Sequence, residues 1–449
     1  MKKSKRLLAV TVAGVMALTV FSFGVGSQSV VSAAKSNGKK TIVSFWDNMA
    51  GPDRTPVYMA LIKEFNEKNP DIEVQYSGIP WDSAKQKFDV AIASGEVPDV
   101  AVCAAAWGSD WIAEEAVEPL DRYFNKWSGK NDMAKQYVAL NRGLSPNRKL
   151  YFIPDSVATP MLWIRSDLFK SAGLKPPATW DDFFKAIKLL TDKSKNRYGF
   201  SIRGGSGSCV EFQHLMYAYS GIPTYFDKND KCTIDNPLNV EFAKKYFALY
   251  KTYTPEMDIT AGLNGIVANF DGGMAAIIAH NNGSAKDHAK ALKPDQYQAV
   301  AFPVSKAGTH SYTSGAPCGY TIFKKSKVKD AAWKFISFMA GTHGNSYFNR
   351  SIGQVPTNTK VLTEDWVNEQ PQIQLALSLM ADKKTRLVTQ PKYLPDYSNI
   401  MEKQMPPLFQ SVMAGRMTPE AFLKTWADKF TEAKAQYDQL GDRLKDKNL

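Results

Sequence analysis

The chain has 449 residues, more than one hydrophobic core usually serves, so we expect at least two compact parts. Its 44% hydrophobic and 22% charged residues are ordinary for a globular protein. The net charge of +12 is spread along the chain without a long block of like charges, so we expect no nucleic-acid partner.

The N-terminus has the layout of a secretory signal peptide over residues 1–34. Four basic residues lie between positions 2 and 6, a mostly apolar run follows, and Ser32 and Ala34 offer the small side chains that a signal peptidase requires. An uncleaved membrane anchor is the alternative, because the apolar run is long enough to span a bilayer. No cysteine stands at the cleavage site, which argues against lipid attachment there. We therefore expect an exported protein, located outside the cell, at its surface or in the periplasm.

The four cysteines bear on both disulfides and metals. An exported protein meets oxidising conditions, so a disulfide is allowed, and Cys209 and Cys232 are close enough in sequence to close a loop. The sequence leaves the pairing of these two with Cys103 and Cys318 open. None of the four belongs to a C-x-x-C pair, which disfavours zinc, and the five histidines are scattered. We expect neither a metal nor a cofactor.

The predicted elements alternate from residue 41 onwards. Three strands rich in β-branched and aromatic residues take turns with three helices of helical apolar spacing, and this order implies a parallel sheet with helices on both faces. Thr179, with Asp182 three residues later, is the predicted cap of a later helix. The predicted strands are 41–46, 71–79, 99–106, 149–157, 274–279, 296–304 and 320–326, and the predicted helices are 56–70, 83–98, 107–121, 179–192, 210–220, 238–252, 329–340, 365–382, 396–414 and 418–440.

Tryptophan and aspartate residues follow the first three predicted strands. Ligands of such sheets sit beyond the carboxyl ends of the strands, where aromatic planes and carboxylates can bind them. A tryptophan more often packs in a core, and an aspartate at this position can instead cap the next helix, so these alternatives stay open. The candidate binding residues at the strand ends are Trp46, Asp47, Trp81, Trp107 and Asp110.

Several segments together resemble the extracellular solute-binding proteins of ABC-type sugar importers, of the maltose- and oligosaccharide-binding family 1 type. Each motif is weak alone, but all occur in the family's order between about residue 41 and residue 440. The segments are "AIASGEVPDV" (91–100) with "WGSDWIAEEAVEPLD" (107–121), "YFIPDSVATPMLWIRSDLFKSAGLKPPATWDDFFKAIKLLT" (151–191), "NFDGGMAAIIAHNNGS" (269–284), "GYTIFKKSKVKDAAWKFISFMAG" (319–341) with "IGQVPTNTK" (352–360), and "MAGRMTPEAFLKTWADKF" (413–430).

The resemblance implies an α/β protein with a two-lobed, periplasmic-binding-protein-like fold. Each lobe would be a mainly parallel sheet flanked by helices, with the ligand cleft between the lobes. Residues 41–155 and 305–355 would form lobe one, and residues 158–304 and 356–449 lobe two. The chain would act as a monomer and not as an enzyme. It would close by hinge motion on a carbohydrate, a di- or oligosaccharide if each tryptophan holds one sugar face, and present it to the membrane subunits of an ABC permease.

The resemblance also adds candidate ligand residues outside the first three strands. Asp155 stands at the first crossing between lobes, Glu211 begins a helix of lobe two, and Tyr397 lies in a late segment that lines the cleft in relatives. His280 and Asn281 follow the predicted strand 274–279, and their segment lacks the lysine of a phosphate loop, so we expect them to bind sugar hydroxyls. A plain polar loop, and a Glu211 that only favours its helix N-terminus, remain the alternatives.

A secreted carbohydrate-active enzyme, such as a glycoside hydrolase, is the alternative function. It would use the same aromatic and acidic residues, with two carboxylates flanking the scissile bond. No G-x-S-x-G or H-E-x-x-H motif occurs, which disfavours an esterase and a zinc protease.

Overall fold

The computed structural model describes residues 40–446, the side chains of residues 82 and 440–446 excepted, so the predicted signal peptide lies outside the described residues. No helix in the described range is long and apolar enough to cross a membrane. The strands are β1 Thr41–Asp47, β2 Ile72–Gly78, β3 Val100–Cys103, β4 Ser156–Val157, β5 Pro160–Ile164, β6 Ile277–Asn281, β7 Gln298–Val300, β8 Ser311–Ser314, β9 Gly319–Ile322, β10 Val355–Pro356 and β11 Arg386–Thr389. The helices are α1 Thr55–Lys68, α2 Trp81–Ser94, α3 Gly108–Ala113, α4 Asp121–Phe124, α5 Lys135–Arg142, α6 Ser166–Ser171, α7 Trp180–Leu190, α8 Ser208–Ser220, α9 Pro237–Phe247, α10 Leu263–Asp271, α11 Ala285–Ala291, α12 Lys329–Ala340, α13 Thr342–Ile352, α14 Asp365–Asn368, α15 Pro371–Ala381, α16 Tyr397–Asn399, α17 Met405–Met413 and α18 Pro419–Asp446.

The first sheet has the strand order β2-β1-β3-β9, and we call the part of the chain built around it the first lobe. Strands β2 and β3 both run parallel to β1, and β9 is antiparallel to β3. Helices α1 and α12 cover one face, where Phe65 meets Phe335 with ring centroids 5.3 Å apart. The alternation of strand and helix predicted for residues 41–106 is confirmed. The apolar side of each helix packs against the sheet, as its helical spacing of apolar residues predicts.

The second sheet has the order β6-β5-β7 and forms the centre of the second lobe. Its middle strand β5 is antiparallel to both neighbours, so the expectation of a mainly parallel sheet holds for the first lobe but not for these three strands. The reason is physical. Every residue of β5 is buried, and a continuous apolar run fits a parallel or an antiparallel partner equally well. Strand direction depends on the connections, which the pattern does not encode.

Two small ladders complete the sheets. Strands β4 and β10 pair antiparallel, with Val157 opposite Val355, near two of the expected crossings between lobes. Strand β8 pairs parallel with β11 although the expected division put β8 in lobe one and β11 in lobe two. The division at residues 155 and 305 therefore stays a prediction, and this pairing favours a second crossing between β8 and β9.

Several predicted elements differ locally from the observed ones, among them the single helix predicted over 365–382, which divides into α14 and α15. The helix predicted over 107–121 ends at Ala113, and Glu115 has a left-handed backbone with φ of 52°. The strand predicted over 149–157 is reduced to β4, because Pro154 has no N–H to continue the ladder that Ile153 begins with Tyr320. The strand predicted over 274–279 lies instead at β6, so it includes His280 and Asn281 rather than ending before them.

Other local predictions are confirmed. Helix α7 begins with the expected capping box, in which Thr179 accepts a hydrogen bond from the Asp182 backbone and the Asp182 side chain accepts one from the Thr179 backbone.

All four cysteines are free and buried, so the disulfide that the sequence allowed between Cys209 and Cys232 is not formed. Burial raises the pKa of both thiols to about 12, which keeps them protonated and unreactive.

Candidate ligand-binding site

The three candidate tryptophans come together where the strands of the first sheet end, and we call Trp46, Trp81 and Trp107 the aromatic wall. Trp81 stacks on Trp107 with ring centroids 5.2 Å apart and an interplanar angle of 15°. Trp107 is buried, whereas Trp46 and Trp81 are half-buried. Trp46 already contacts the ring of Phe88 and lies 4.7 Å from the ammonium of Lys87. The partly exposed Trp81, backed by a buried ring, is therefore the member best placed to meet a ligand.

Asp110 joins the first lobe to the segment around α16. The Ser398 hydroxyl donates a hydrogen bond of 2.6 Å to its carboxylate, and beside it the Ser109 hydroxyl donates one of 3.3 Å to the Leu394 carbonyl. Burial raises the pKa of Asp110, and it also raises the pKa of the neighbouring Glu402. One oxygen of Asp110 is thus used within the chain, at a contact between segments almost 300 residues apart.

Asp47 lies inside the first lobe rather than on an open surface. It is fully buried, and its oxygens accept hydrogen bonds from Arg54 Nε at 3.1 Å, the Tyr76 hydroxyl at 3.1 Å and the Met49 backbone at 3.2 Å. Burial alone would lower the pKa of Arg54, but Tyr58 and Asp47 hold it above its usual value. Groups of the chain itself therefore donate to the Asp47 carboxylate oxygens, which the sequence analysis expected to accept hydrogen bonds from a ligand.

Asp155 belongs to the same buried region, on the chain that leads towards the second sheet. Its carboxylate accepts a hydrogen bond of 2.7 Å from the Ser156 backbone, and its carbonyl accepts hydrogen bonds from the amides of Asn345 and Asn349. Burial raises its pKa, and the positive charge of Arg54 opposes that rise. Asp47 and Asp155 thus share the charge of Arg54, and this geometry fits a structural role for both.

Five polar side chains of the second lobe are linked to one another as electrostatic neighbours, and we call Arg203, Glu211, His214, His280 and Lys392 the cationic pocket. Arg203 Nη1 lies 3.8 Å from the carboxylate of Glu211, and the positive charges of Arg203 and Lys392 both act on His214. Besides burial, the positive charges of Arg203, His288 and His214 lower the pKa of His280. Arg203, His214, His280 and Lys392 are each half-buried, so none of the four is fully exposed to solvent.

Burial dominates the titration of this pocket. It raises the pKa of Glu211 to about 8, and the nearby Arg203 opposes that rise. It lowers the pKa of His214 to about 3 and the pKa of His280 well below its usual value. Both imidazoles are therefore neutral at neutral pH. His214 shares a hydrogen bond with the Thr313 hydroxyl, whereas both ring nitrogens of His280 are engaged within the chain, Nδ1 with the Ser284 hydroxyl and Nε2 with the Asn281 amide.

The other two predicted residues of the second lobe have different surroundings. Asn281 lies next to the pocket, where its carbonyl oxygen accepts a hydrogen bond of 2.8 Å from the Gly283 backbone and its amide lies 3.2 Å from His280 Nε2. Tyr397 is buried in the core of the second lobe, with its ring 5.7 Å from that of Phe430. The structure thus places His280 beside Asn281 and Glu211 near Arg203, and it buries Tyr397.

Sequence reasoning missed Arg203 and Lys392. Residues 198–202 pair parallel with the chain leading into β6, through the bridge between Tyr198 and Ala275 and the hydrogen bond of 3.2 Å from the Ser201 N–H to the Ile277 carbonyl. Arg203 therefore stands at a strand end, and the rule applied to the first sheet would have selected it had this segment been recognised as extended. No local signal identifies Lys392, which follows β11 and whose charge acts on His214.

Comparison with known proteins gives one family for the chain. A sequence model of the family described as bacterial extracellular solute-binding protein matches residues 51–345. A binding protein of Brucella abortus (strain 2308) is 24% identical over 415 residues, which are 90% of this chain and 95% of that protein. The maltotriose-binding protein of Pyrococcus abyssi (strain GE5 / Orsay) is 24% identical over 355 residues, or 74% and 70% of the two chains.

The fold also matches solved structures. The GacH receptor of Streptomyces glaucescens GLA.O, solved without ligand and in complex with acarbose, superimposes with a TM-score of 0.76 at 20% identity. The match covers 88% of this chain and 99% of the receptor. The two-lobed α/β fold expected from the sequence is confirmed.

Proposed function

Because the chain belongs to the family of bacterial extracellular solute-binding proteins, we propose that it is a receptor that binds a carbohydrate outside the cytoplasm and delivers it to an ABC importer. The carbohydrate is a di- or oligosaccharide, held between the aromatic wall and the cationic pocket. Closing of the two lobes around it creates the form that the permease subunits recognise. The chain works as an exported monomer that binds its cargo without catalysis.

The observation that carries this proposal is Trp81, half-buried and stacked on the buried Trp107 at the ends of the first sheet. A sugar offers an apolar C–H face and a rim of hydroxyls. The face fits an indole ring that is held rigidly from behind, and the hydroxyls fit side chains that both donate and accept. His280 and Asn281 are of that kind, and both are half-buried in the second lobe.

The names of relatives support the size of the ligand. The relative from Pyrococcus abyssi is called a maltotriose-binding protein, and the receptor from Streptomyces glaucescens was solved with acarbose. These names support an oligosaccharide as the cargo of the present chain. Within the aromatic wall, Trp81 would be the principal stacking surface for a sugar ring and Trp46 a second one.

Thermal unfolding against a panel of sugars tests the proposal. A ligand that binds only the native state raises the unfolding midpoint, so at least one mono- or oligosaccharide should shift it. Replacing Trp81 by alanine should weaken that ligand by about tenfold or more, because the stacked ring face is lost. The matched control is Trp333→Ala, since Trp333 is also half-buried and stacks on Tyr123 at 5.4 Å, away from the wall. A panel without any shift, or equal losses in both variants, would contradict the proposal.

Incubation with the same oligosaccharides separates a receptor from a hydrolase. We expect every oligosaccharide to be recovered intact after prolonged incubation with stoichiometric protein. Cleavage that disappears in Glu211→Gln or in Asp110→Asn would favour the enzyme, because a glycoside hydrolase needs two such carboxylates.

A further inference from the structure

Two cysteines of the first lobe are neighbours across the ladder of β3 and β9. The antiparallel register sets Cys103, the last residue of β3, opposite Gly319, the first residue of β9, and Cys318 directly precedes Gly319. Opposed residues of such a ladder have Cα atoms about 4.5–5.5 Å apart, and chain neighbours about 3.8 Å. The Cα atoms of Cys103 and Cys318 are therefore about 6–7 Å apart, at the upper end of the range that a disulfide bridges, about 4.4–6.8 Å.

An unusual backbone at Cys318 turns its thiol to the side of the sheet that Cys103 faces. Side chains alternate along a strand, so a regular continuation of β9 would put Cys318 on the side of Tyr320, opposite to Cys103. Cys318 instead has a left-handed backbone, with φ of 57°, and its side chain packs in the same apolar cluster as Cys103 and Trp107. Tyr320 packs with Val102 in a different cluster, on the other side of the sheet.

The side chain of Asn141 holds Cys318 in this conformation. Its carbonyl oxygen accepts a hydrogen bond of 3.0 Å from the Cys318 N–H, and its amide donates one of 3.0 Å to the Cys318 carbonyl. Asn141 is fully buried, so both bonds are shielded from water. A left-handed backbone is uncommon for a residue with a side chain and persists where the surrounding structure fixes it. The position of the Cys318 thiol is thus built into the fold.

The two sulfur atoms contact successive carbonyl groups of the turn that follows β3. Cys103 Sγ lies 3.4 Å from the Ala104 carbonyl oxygen, and Cys318 Sγ lies 3.8 Å from that of Ala105. Gly319, which separates the two cysteines in the ladder, has no side chain to lie between them. Burial raises the pKa of the Cys103 thiol well above its usual value, and the Cys318 thiol adds to that rise.

The other two cysteines have separate surroundings. Cys209 lies in α8, where its sulfur is 3.9 Å from the Ser208 hydroxyl, and Cys232 pairs with Phe226 in an isolated bridge. They are closer in sequence than Cys103 and Cys318, but a disulfide depends on where the fold places the Cα atoms. Cys209 and Cys232 therefore serve as buried controls for the pair in the first lobe.

We propose that Cys103 and Cys318 are a redox pair that closes to a disulfide in an oxidising environment, and that the structure with four free thiols is its reduced state. The extracellular location of the family supplies such an environment.

The oxidant is a small-molecule disulfide. One cysteine, as its thiolate, attacks a sulfur of the oxidant, forms a mixed disulfide and releases one small thiol. The second cysteine, as its thiolate, attacks the protein sulfur of that mixed disulfide and releases the other small thiol. The two protein thiols lose two electrons and two protons, which the two small thiols gain.

Closure belongs to folding rather than to the folded state. Cys103 is 2% exposed and Cys318 is fully buried, so an oxidant reaches them while the chain is open. The closed bond links β3 to β9 and encloses residues 104–317, the segment that contains β4 to β8. A disulfide that closes a long loop restricts the unfolded chain and so stabilises the native one. We therefore expect the oxidised form to be the more stable one.

Refolding under two redox conditions tests the proposal. The chain is unfolded with reductant and refolded either in reduced glutathione alone or in a mixture of reduced and oxidised glutathione. Thiol titration in denaturant should count four thiols after the first treatment and two after the second. Peptide mapping without reductant should recover one linkage, between Cys103 and Cys318. The oxidised protein should unfold about 4 °C or more above the reduced one.

Three variants assign the bond to residues. Cys318→Ala and Cys103→Ala should each keep three thiols under both conditions, with the same unfolding midpoint in both. The matched control is Cys209→Ala, which removes an equally buried thiol and should fall from three thiols to one. If Cys103→Ala fails to fold, Cys318→Ala carries the test, because alanine keeps the Cβ that the left-handed backbone already accommodates.

Several results would overturn this inference. They are four thiols after oxidative refolding, a linkage between Cys209 and Cys232, and a gain in mass from glutathione bound to single cysteines. A linked pair without a rise in the unfolding midpoint would overturn it too, because the bond would then strain the geometry that we propose it fits. None of these measurements involves a ligand, so such a result leaves the proposed carbohydrate receptor as it stands.

Discussion

Replacing Asp47 by asparagine keeps the size of the side chain and removes its charge, in a place where that charge is the direct partner of a buried cation. Asp47 is fully buried and accepts three hydrogen bonds, from Arg54, Tyr76 and the Met49 backbone. An asparagine can accept with one atom only, so either the Arg54 or the Tyr76 bond loses its acceptor.

The expected loss of stability follows from this geometry. Breaking a buried ion pair by removing one partner costs about 3–5 kcal/mol. Asp155 still acts on Arg54 after the change, so we expect the lower end, about 3 kcal/mol. The matched control is Asp53→Asn, whose carboxylate pairs with Lys290 at 2.5 Å but has a side chain 59% exposed. An exposed pair of this kind contributes about 0–1 kcal/mol.

Urea unfolding of the two variants and the wild type measures the difference. At about 1 M NaCl the small effect of Asp53→Asn should vanish, because salt screens exposed charges, whereas the effect of Asp47→Asn should persist. If Asp47→Asn costs no more than Asp53→Asn while the affinity for ligand falls, Asp47 is a ligand residue after all and the structural role assigned to it is wrong.

Three further predictions concern titration, thiols and a helix end. Burial raises the pKa of Glu211 above its unfolded value, so its contribution to stability is lost as pH rises from about 4.5 to about 8. Glu211→Gln should therefore gain stability relative to wild type in urea unfolding at about pH 8 compared with about pH 5, by up to about 1.4 kcal/mol per pH unit; a constant difference would contradict this. A thiol reagent should modify all four cysteines in denaturant and none in the native protein, since all are free and buried, and fewer than four in denaturant would reveal a disulfide. Thr179→Ala should cost about 1 kcal/mol in unfolding free energy by removing the cap of α7, and Thr179→Ser should restore most of it.

Local signals were enough for most of the secondary structure. Helix α12 has the predicted bounds, 329–340, and α7 begins at the predicted cap. The start and end of a helix depend on residues within one or two turns of it, so the local sequence is enough to predict them. The direction of β5 was not predictable, because it depends on where the connecting segments lead.

The candidate site was predictable where it depends on strand ends. Trp46, Trp81 and Trp107 gather as the parallel order of β1–β3 requires. The side chain of Asp47, the residue after Trp46, points to the opposite face of the sheet, towards Arg54, since successive side chains of a strand alternate between faces. The direction of that alternation relative to the cleft is a tertiary property, and the same holds for Tyr397, which turned into the core.

The paired strands β4 and β10 have a mechanical consequence. Two antiparallel strands held by residue pairs at Val157 and Ser156 share their backbone hydrogen bonds, and the carbonyl of Asp155 beside them is fixed by Asn345 and Asn349. Shear along the strands would break these bonds together, whereas bending across them strains none. If this ribbon carries the movement between lobes, it leaves essentially one soft degree of freedom. The lobes would then open and close about one fixed axis, and every cargo would meet the same two binding surfaces in the same relative orientation.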